Sequence, residues 1–173
     1  MADSLLRPGG HRAEAIEFLL DAYRGVATQP GKGLPHAQAV ADILRESGCD
    51  EQTELVGLLH DVVEDTGRTV DDVRLVFADE VADMVAALTE DTTIAHHSPR
   101  KRRLRGTIAA AGSPAVDVAL ADKIATLQYA QLTDTPVTRL KLAHYRATLQ
   151  LALAAGVAVP LCRRLESLLA GFV

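Results

Sequence analysis

The feature that most constrains this chain is one short stretch, Leu58-Leu59-His60-Asp61-Val62-Val63-Glu64-Asp65-Thr66-Gly67. If the stretch is helical, residues four apart lie on one face, so His60 stacks on Glu64 and Asp61 stacks on Asp65. The leucines and valines then take the other faces. Burying such ionisable groups without compensation costs roughly several kcal/mol each. Because a bound cation is the usual compensation, the stretch predicts a metal site with carboxylates beside it.

The composition favours helices over sheets. Apolar residues make up 48% of the 173 residues, aromatic residues make up only 3%, and tryptophan is absent. Sequences rich in alanine and leucine with few aromatic side chains are typical of helical proteins, and no segment alternates convincingly as a strand would. A chain of this length can bury one sizeable core. We therefore expect an all-α protein, a compact helical bundle, in which residues 1–173 form a single domain.

Charge and cysteine content narrow the class of protein. The net charge of −5 argues against binding of a nucleic acid polymer, which requires a basic surface. No apolar run approaches the ~20 residues of a membrane span, and residues 1–10 lack the apolar segment of a signal peptide. Cys49 and Cys162 lie far apart in the sequence, which favours two reduced thiols over a disulfide. These features predict a cytoplasmic protein that does not engage a membrane.

Start and stop signals divide the chain into a series of helices. Proline in a first turn and glycine after a last turn mark several boundaries, and Asp50, Thr69 and Asp79 are candidate N-caps. Ser-Pro or Thr-Pro pairs at 98–99, 113–114 and 135–136 predict three late helix starts. The helices predicted in this way cover 11–26, 35–47, 51–67, 70–77, 80–89, 98–112, a segment from 113 onwards, 135–155 and 160–169.

Candidate metal ligands come from separate helices. His36 lies near the start of the second predicted helix, His60 and Asp61 lie on the third, and Asp122 follows in a later apolar segment. Two imidazoles and two carboxylates suit Mn²⁺, Fe²⁺, Co²⁺ or Zn²⁺ better than an ion that prefers thiolates. A divalent ion lowers the pKa of water, so hydroxide becomes available as a nucleophile. The two acidic residues one helical turn further on could position that water or shuttle a proton.

The order of these residues resembles the H…HD…D signature of the HD-domain phosphohydrolases, and more specifically the RelA/SpoT-type alarmone hydrolases, which include small single-domain members. Segments 35–44, 58–67, 88–91 and 118–127 resemble four segments of that family and occur in the same order. The resemblance implies a helical bundle of the HD-domain type, a Mn²⁺ ion and removal of the 3′-pyrophosphate of (p)ppGpp. It also implies roles for particular residues, with His36, His60, Asp61 and Asp122 as metal ligands and Glu64 and Asp65 as the catalytic acidic pair.

Candidate substrate-binding residues are basic or lie beside the predicted ligands. Where the family has a basic loop, this chain keeps only Lys32, with Arg24 upstream. The basic run at 100–105 could meet phosphates through a residue such as Arg102, or it could be a solvated face, and both interpretations stay open. Lys123 follows one predicted ligand, and Thr126 stands where the family usually has asparagine. Three other histidines are not expected to be ligands, namely His96, His97 and His144.

The sequence supports more than one function. The first hypothesis is a metal-dependent phosphohydrolase of nucleotide (pyro)phosphates, with (p)ppGpp as the first candidate substrate and another nucleotide phosphate as the second. Thr126 also motivates a non-catalytic domain that senses a nucleotide. A helical interaction domain whose metal only stiffens the fold is the third hypothesis. In the first two cases the partner is a small-molecule nucleotide phosphate, and the apolar C-terminal helices could supply a homo-oligomer interface.

Overall fold

The computed structural model describes residues 10–172, and these residues form ten α-helices and no β-strand. The prediction of an all-α protein is confirmed. The helices are α1 (Gly10–Ala22), α2 (Leu34–Glu46), α3 (Glu51–Leu59), α4 (Val62–Asp65), α5 (Val70–Val76), α6 (Asp79–Leu88), α7 (His97–Ala111), α8 (Ser113–Thr133), α9 (Arg139–Ala155) and α10 (Val159–Leu169).

Side-chain caps begin two of these helices at positions that the sequence predicts. Asp50 precedes α3, and its carboxylate accepts the backbone N–H of Thr53 at 2.8 Å. Thr69 precedes α5 and forms a reciprocal capping box with Asp72. Such caps satisfy backbone N–H groups that have no partner inside the helix, and each contributes about 1 kcal/mol. The starts of α3 and α5 are therefore determined by local sequence.

The central helix of the bundle is α8. It packs against α2, α3, α6, α7, α9 and α10, and its apolar side chains, among them Leu120, Ile124 and Leu127, are buried. Asp122 lies in this buried stretch. The central position of α8 therefore brings a carboxylate into the bundle, where it reaches side chains of α2 and α3.

Helices α2 and α3 approach each other closely at Gly57. A Cβ atom added to Gly57 would lie 2.5 Å from Cδ1 of Leu44, which is shorter than a normal contact. Glycine therefore allows the two helices to pack at this distance. As a result, the ring centroids of His36 on α2 and His60 after α3 lie only 5.5 Å apart.

The predicted third helix is interrupted where the site residues lie. We expected one helix from 51 to 67, but α3 ends at Leu59 and α4 begins at Val62. His60 and Asp61 between them keep backbone angles near the right-handed helical region. The Gly57 carbonyl oxygen, which a continuous helix would offer to the N–H of residue 61, accepts the Nδ1–H of His60 at 2.8 Å. The interruption therefore keeps the polar side chains of this stretch at nearly helical spacing. The His60 side chain meanwhile bonds to a carbonyl oxygen at the end of α3.

Two boundaries near the N-terminal half differ from prediction. The first helix ends at Ala22 rather than at residue 26, and the chain then turns through Gly25, whose φ is +76°. That left-handed conformation is one that glycine adopts readily and that a helix cannot continue through. Asp79 is the first residue of α6 rather than its N-cap, and the capping position is Ala78, which has no side chain to accept a bond.

The predicted start of the long late helix is also wrong. Thr135-Pro136 does not begin a helix, because α8 ends at Thr133, its C-cap Asp134 has a left-handed φ of 52°, and α9 begins only at Arg139. The cap is Thr138, whose side chain accepts the N–H of Lys141 at 3.3 Å. A Thr-Pro pair is compatible with a turn as well as with a helix start, and here the turn prevails.

Two further predictions concern the state of the cysteines and the absence of a membrane-spanning helix. Cys49 and Cys162 are free thiols, as predicted. Among the helices of residues 10–172, none combines the length and apolar character that crossing a membrane would need.

Candidate metal centre and adjoining cavity

Three predicted ligands converge on one point. Ligand atoms of His36, His60 and Asp122 all lie within 4.8 Å of one another. Oδ1 of Asp122 lies 3.0 Å from Nε2 of His36 and 3.9 Å from Nε2 of His60. The three side chains come from α2, the end of α3 and α8, so the cluster exists only because these helices pack together.

Asp61 completes the set of four. Its Oδ1 lies 3.2 Å from Nε2 of His60, and its Oδ2 lies 3.9 Å from Nε2 of His36. Oδ2 also accepts a hydrogen bond from Nζ of Lys32 at 3.0 Å. The two imidazoles and two carboxylates that the sequence singled out are therefore neighbours in space.

The orientation of His60 is determined by the helix end that precedes it. Because Nδ1 donates to the Gly57 carbonyl oxygen, Nε2 is the ring nitrogen that points towards the cluster, and it can offer a lone pair to an ion once it is deprotonated. Nε2 is fully buried and has no hydrogen-bond partner among the described residues. A buried nitrogen of this kind costs free energy unless a ligand or ion satisfies it.

Burial and neighbouring charges shift the pKa values of the clustered side chains. Burial by itself would lower the pKa of His60, but the Asp61 and Asp122 carboxylates outweigh it and raise that pKa to about 9. Burial would raise the pKa of both carboxyl groups, yet His60 lowers the pKa of Asp61, and Lys123 with His36 lowers that of Asp122. Near neutral pH both carboxylates are therefore ionised and His60 is protonated in the absence of an ion, and a bound cation would displace the proton from Nε2.

The donor set fits a first-row divalent ion. Two imidazole nitrogens and carboxylate oxygens from two residues match the mixed ligand sets that such ions accept, and no thiolate is present in the cluster. Nε2 of His60 is buried without a hydrogen bond among the described residues, so a bound ion would satisfy this atom. The cluster can therefore hold a divalent metal, although its donor set does not select one ion.

The predicted acidic pair separates in the structure. Glu64 lines the cavity that adjoins the cluster, and its Oε1 accepts the backbone N–H of Glu90 at 2.6 Å. Burial, followed by the charges of Asp61 and Glu90, raises the pKa of Glu64 despite that bond. Asp65 instead accepts the hydroxyl of Tyr23 at 3.1 Å and is not among the residues that line the cavity.

A cavity of about 280 Å³ opens onto the cluster. It is lined by both acidic and basic side chains and by part of the apolar core. Three histidines, His60, His97 and His144, lie on its wall. Its basic side chains are Lys32, Arg100, Lys101, Lys123 and Lys141, and its acidic side chains are Asp61, Glu64, Glu90 and Asp122.

The structure brings three of the five predicted substrate-binding residues to this cavity. Lys32, Lys123 and Thr126 line it. Lys123 is buried, and its Nζ lies 3.1 Å from Oδ2 of Asp122. Arg24 is exposed and pairs with Asp21 outside the cavity, and Arg102 is exposed on α7 and does not line it.

Sequence reasoning did not single out several residues of the cavity wall. Arg100 and Lys101 belong to the basic run, and they reach the cavity where Arg102 does not. Both pair with Glu90, and Arg100 Nε lies 2.6 Å from Glu90 Oε2. The helical period could have separated the two faces of this run, but which face meets the cavity depends on how α7 packs.

Lys141 and Tyr145 from α9 were missed completely. Both line the cavity, and Tyr145 is buried with its ring 5.6 Å from Nζ of Lys123. Their spacing of four residues indicates a common helix face. Neither residue stands in a recognisable motif, so the sequence alone contained no signal for them.

Comparison with known proteins identifies the family to which the chain belongs. The family model described as "HD domain" matches residues 15–154 of the chain. A human protein named guanosine-3′,5′-bis(diphosphate) 3′-pyrophosphohydrolase MESH1 is 36% identical over 121 residues, which are 66% of this chain and 66% of that protein. A Synechocystis protein named probable guanosine-3′,5′-bis(diphosphate) 3′-pyrophosphohydrolase is 35% identical over 77 residues. That match covers 41% of this chain and only 10% of the Synechocystis protein.

A solved structure supports the same fold. It belongs to a metazoan ortholog of SpoT that is described as hydrolysing ppGpp. The superposition has a TM-score of 0.78 at 25% sequence identity and covers 96% of this chain and 97% of that one. The similarity therefore extends over nearly all of the bundle, including the helices that carry the cluster.

Proposed function

The chain belongs to the HD-domain family, and from that membership we propose that it is a metal-dependent phosphohydrolase that releases pyrophosphate from the 3′ position of guanosine 3′,5′-bis(diphosphate). The observation that carries the proposal is that His36, His60, Asp61 and Asp122 lie together, and that three of them line a cavity that also carries five basic side chains. Relatives with that activity in their names support the choice of substrate.

The four clustered side chains would hold the metal ion. We propose Mn²⁺ as the ion, with Fe²⁺, Co²⁺ and Zn²⁺ as alternatives, because the donor set is compatible with each of them. When bound, such an ion supplies Lewis-acid polarisation of a phosphate oxygen and acidifies water. The bond from His60 Nδ1 to the Gly57 carbonyl oxygen keeps the ligand nitrogen oriented before any ion arrives.

Glu64 is proposed as the general base. Its Oε1 is occupied by the N–H of Glu90, which leaves Oε2 to accept the proton of the attacking water. Burial raises its pKa, so the carboxylate is a stronger base than an exposed glutamate. We assign Asp65 a positioning role, because its bond to Tyr23 connects α4 to the residue that follows α1.

Basic residues of the cavity would bind the phosphates. Lys123 and Lys32 each contact a ligand carboxylate, and both also face the cavity. They can therefore balance the charge of the cluster and of a phosphate bound beside it. Lys141 of α9 adds a further cation to the cavity wall, and burial and the nearby Lys32 lower its pKa.

The decisive experiment is pyrophosphate release from guanosine 3′,5′-bis(diphosphate) with added Mn²⁺. We expect turnover by the wild-type protein and almost none by Asp61→Ala, since that variant loses one of the four ligand side chains. Equal turnover by both proteins would rule the proposal out. A panel of other nucleotide phosphates tests the substrate, because Thr126 lines the cavity where the family usually has asparagine.

The sensing hypothesis makes a different prediction for the same samples. A domain that only reports a nucleotide would bind it in a titration and release no product with Mn²⁺, Fe²⁺, Co²⁺ or Zn²⁺. A purely structural metal would raise the melting temperature without giving any affinity for phosphates. Measuring binding and turnover in parallel therefore separates the three hypotheses.

A further inference from the structure

The loop between α1 and α2 contains a tight turn formed by Gln29, Pro30, Gly31 and Lys32. The backbone N–H of Lys32 donates to the carbonyl oxygen of Gln29 at 3.0 Å. Proline stands at the second position of the turn and glycine at the third, where φ is +76°. These features are characteristic of a type II β-turn, whose third residue needs a positive φ. The backbone of this turn therefore determines the direction in which the Lys32 side chain leaves the loop.

The turn packs against the side chain of Tyr129 on α8. A Cβ atom added to Gly31 would lie 2.7 Å from both Cδ1 and Cε1 of the Tyr129 ring. Real Cβ contacts are not this short, so glycine is needed here for space as well as for its positive φ. The ring is half-buried, and it leaves the turn no room to move closer to α8.

Tyr129 and the predicted metal ligand Asp122 belong to the same helix. Seven residues separate them, which is close to two turns of an α-helix, so both side chains lie on the same side of α8. Asp122 lines the cavity of the metal centre, whereas Tyr129 is not among the residues that line it. Any effect of Tyr129 on a ligand in the cavity must therefore pass through the turn that it supports.

Lys32 is the residue of the turn that reaches the site. Its Nζ donates to Oδ2 of Asp61 at 3.0 Å, and its side chain lines the cavity. Burial would lower the pKa of Lys32, but the carboxylates of Asp61 and Asp122 raise it above its usual value. A charged ammonium therefore lies beside two predicted metal ligands. Because the lysine side chain is long and flexible, this geometry depends on the position of its backbone.

We propose that Tyr129 is a positioning residue, which supports the turn at Gly31 and thereby holds the Lys32 ammonium between Asp61 and a phosphate in the cavity. The inference rests on the proposed function for the phosphate. The support of the turn by the ring does not depend on that function. A ring that only filled space in the bundle would affect stability without affecting Lys32, and this difference makes the role testable.

Limited trypsin digestion of the metal-free protein tests the support of the turn. Trypsin cleaves after lysine when the side chain and its backbone enter the protease site, so the bond between Lys32 and Gly33 should be cut slowly in the wild type. We expect Tyr129→Ala and Gly31→Ala each to raise the rate of this cut about tenfold or more, because the turn is released. Tyr129→Phe keeps the ring and should leave the rate unchanged. Mass spectrometry of the fragments identifies the cut.

Gly25→Ala is the matched control for backbone strain. Gly25 has the same φ of +76° as Gly31, but nothing lies within 4 Å of a Cβ atom added to it. This variant carries alanine at a positive φ without any contact with Tyr129, so cleavage after Lys32 should stay slow. Thermal melting shows that each variant is folded. Slow cleavage after Lys32 in Tyr129→Ala, or equal acceleration in Gly25→Ala and Gly31→Ala, would overturn the proposal.

A double-mutant cycle tests whether Tyr129 acts through Lys32. Turnover of guanosine 3′,5′-bis(diphosphate) with Mn²⁺ is measured for Tyr129→Ala, Lys32→Gln and the double variant. We expect kcat/KM to fall about tenfold in each single variant, as the loss of one charge-assisted contact provides. The double variant should also lose about tenfold rather than about a hundredfold, because both changes remove the same contact. Tyr129→Phe should keep the wild-type value, and additive losses would overturn the positioning role.

Failure of the positioning role and failure of the proposed function give different results. Turnover with additive losses in the cycle refutes the positioning role alone. A protein that hydrolyses nothing, but that trypsin cuts after Lys32 in Tyr129→Ala and Gly31→Ala, retains the support of the turn and refutes the hydrolase.

Discussion

Nδ1 of His60 donates to the carbonyl oxygen of Gly57 at 2.8 Å, and this bond determines which ring nitrogen faces the metal cluster. Gly57 has a second role, because its missing side chain lets α2 and α3 pack closely enough to bring His36 and His60 together. One small residue thus affects both the orientation and the distance of the two imidazoles.

Replacing Gly57 tests the close packing of α2 and α3. In Gly57→Ala the new Cβ would lie 2.5 Å from Leu44 Cδ1, so we expect a loss of about 1–2 kcal/mol in the free energy of unfolding. The matched control is Gly106→Ala, where nothing lies within 4 Å of the new atom. That helical substitution should stabilise by about 0.5–1 kcal/mol. Urea denaturation of both variants checks the prediction, and stabilisation by Gly57→Ala would contradict it.

Removing one ligand should weaken metal binding more than it weakens the fold. Asp122→Asn replaces a carboxylate of the cluster, and we expect the affinity for Mn²⁺ to fall by about tenfold or more. Asp117→Asn changes a carboxylate on the same helix that pairs with Ser113 and should leave the affinity unchanged. Calorimetric titration of Mn²⁺ into the metal-free proteins measures both. Identical affinities in the two variants would exclude Asp122 as a ligand.

Metal removal should also lower the melting temperature of the wild-type protein. Without a cation, the Asp61 and Asp122 carboxylates both lie within 4 Å of Nε2 of His60, and that nitrogen forms no hydrogen bond among the described residues. A ligand that binds only the folded state at 100 times its Kd stabilises by about 2.7 kcal/mol. Melting with a chelator and then with excess Mn²⁺ should therefore give clearly separated transitions. Coincident transitions would mean that the cluster holds no ion.

Glu64 should control the acidic limb of the activity profile. As a general base it must be ionised, so activity should fall as the pH drops through its raised pKa. Glu64→Gln should lower kcat by about 10²–10⁴-fold and lose that limb while binding Mn²⁺ normally. Glu80→Gln on the exposed start of α6 serves as the control. Full activity of Glu64→Gln would assign the base to another residue.

His144 should make the folded state sensitive to acid. Its pKa is lowered to about 2 from 6.5, so between these values the unfolded chain binds a proton that the folded chain does not. Stability contributed by the neutral ring is therefore present above pH 6.5 and is lost as the pH falls, by up to about 1.4 kcal/mol per pH unit. Chemical denaturation from pH 4 to 8 should show a smaller slope in His144→Asn below about pH 6.5, and parallel curves above it. Equal slopes throughout would contradict the lowered pKa.

The local sequence determined much of the fold. Low aromatic content and helix-favouring residues predicted an all-α protein, and Asp50 and Thr69 marked two helix starts through bonds to residues only three positions away. The stretch around His60 and Asp61 also predicted a metal site, because charged groups among buried apolar neighbours need compensation. The helical class and the two caps could be predicted because their causes lie within a few residues along the chain.

Other features were decided only by tertiary packing. Whether Arg102 or Lys101 reaches the cavity depends on the rotation of α7 against its neighbours, and Lys141 joins the site only because α9 packs across it. The bond of Asp65 to Tyr23 and the contact of Arg105 with His144 likewise join residues 42 and 39 positions apart. Sequence periodicity assigns a residue to a helix face, but it does not say what that face meets. That outcome follows from close packing of the whole core, so it is settled only when all the helices are in place.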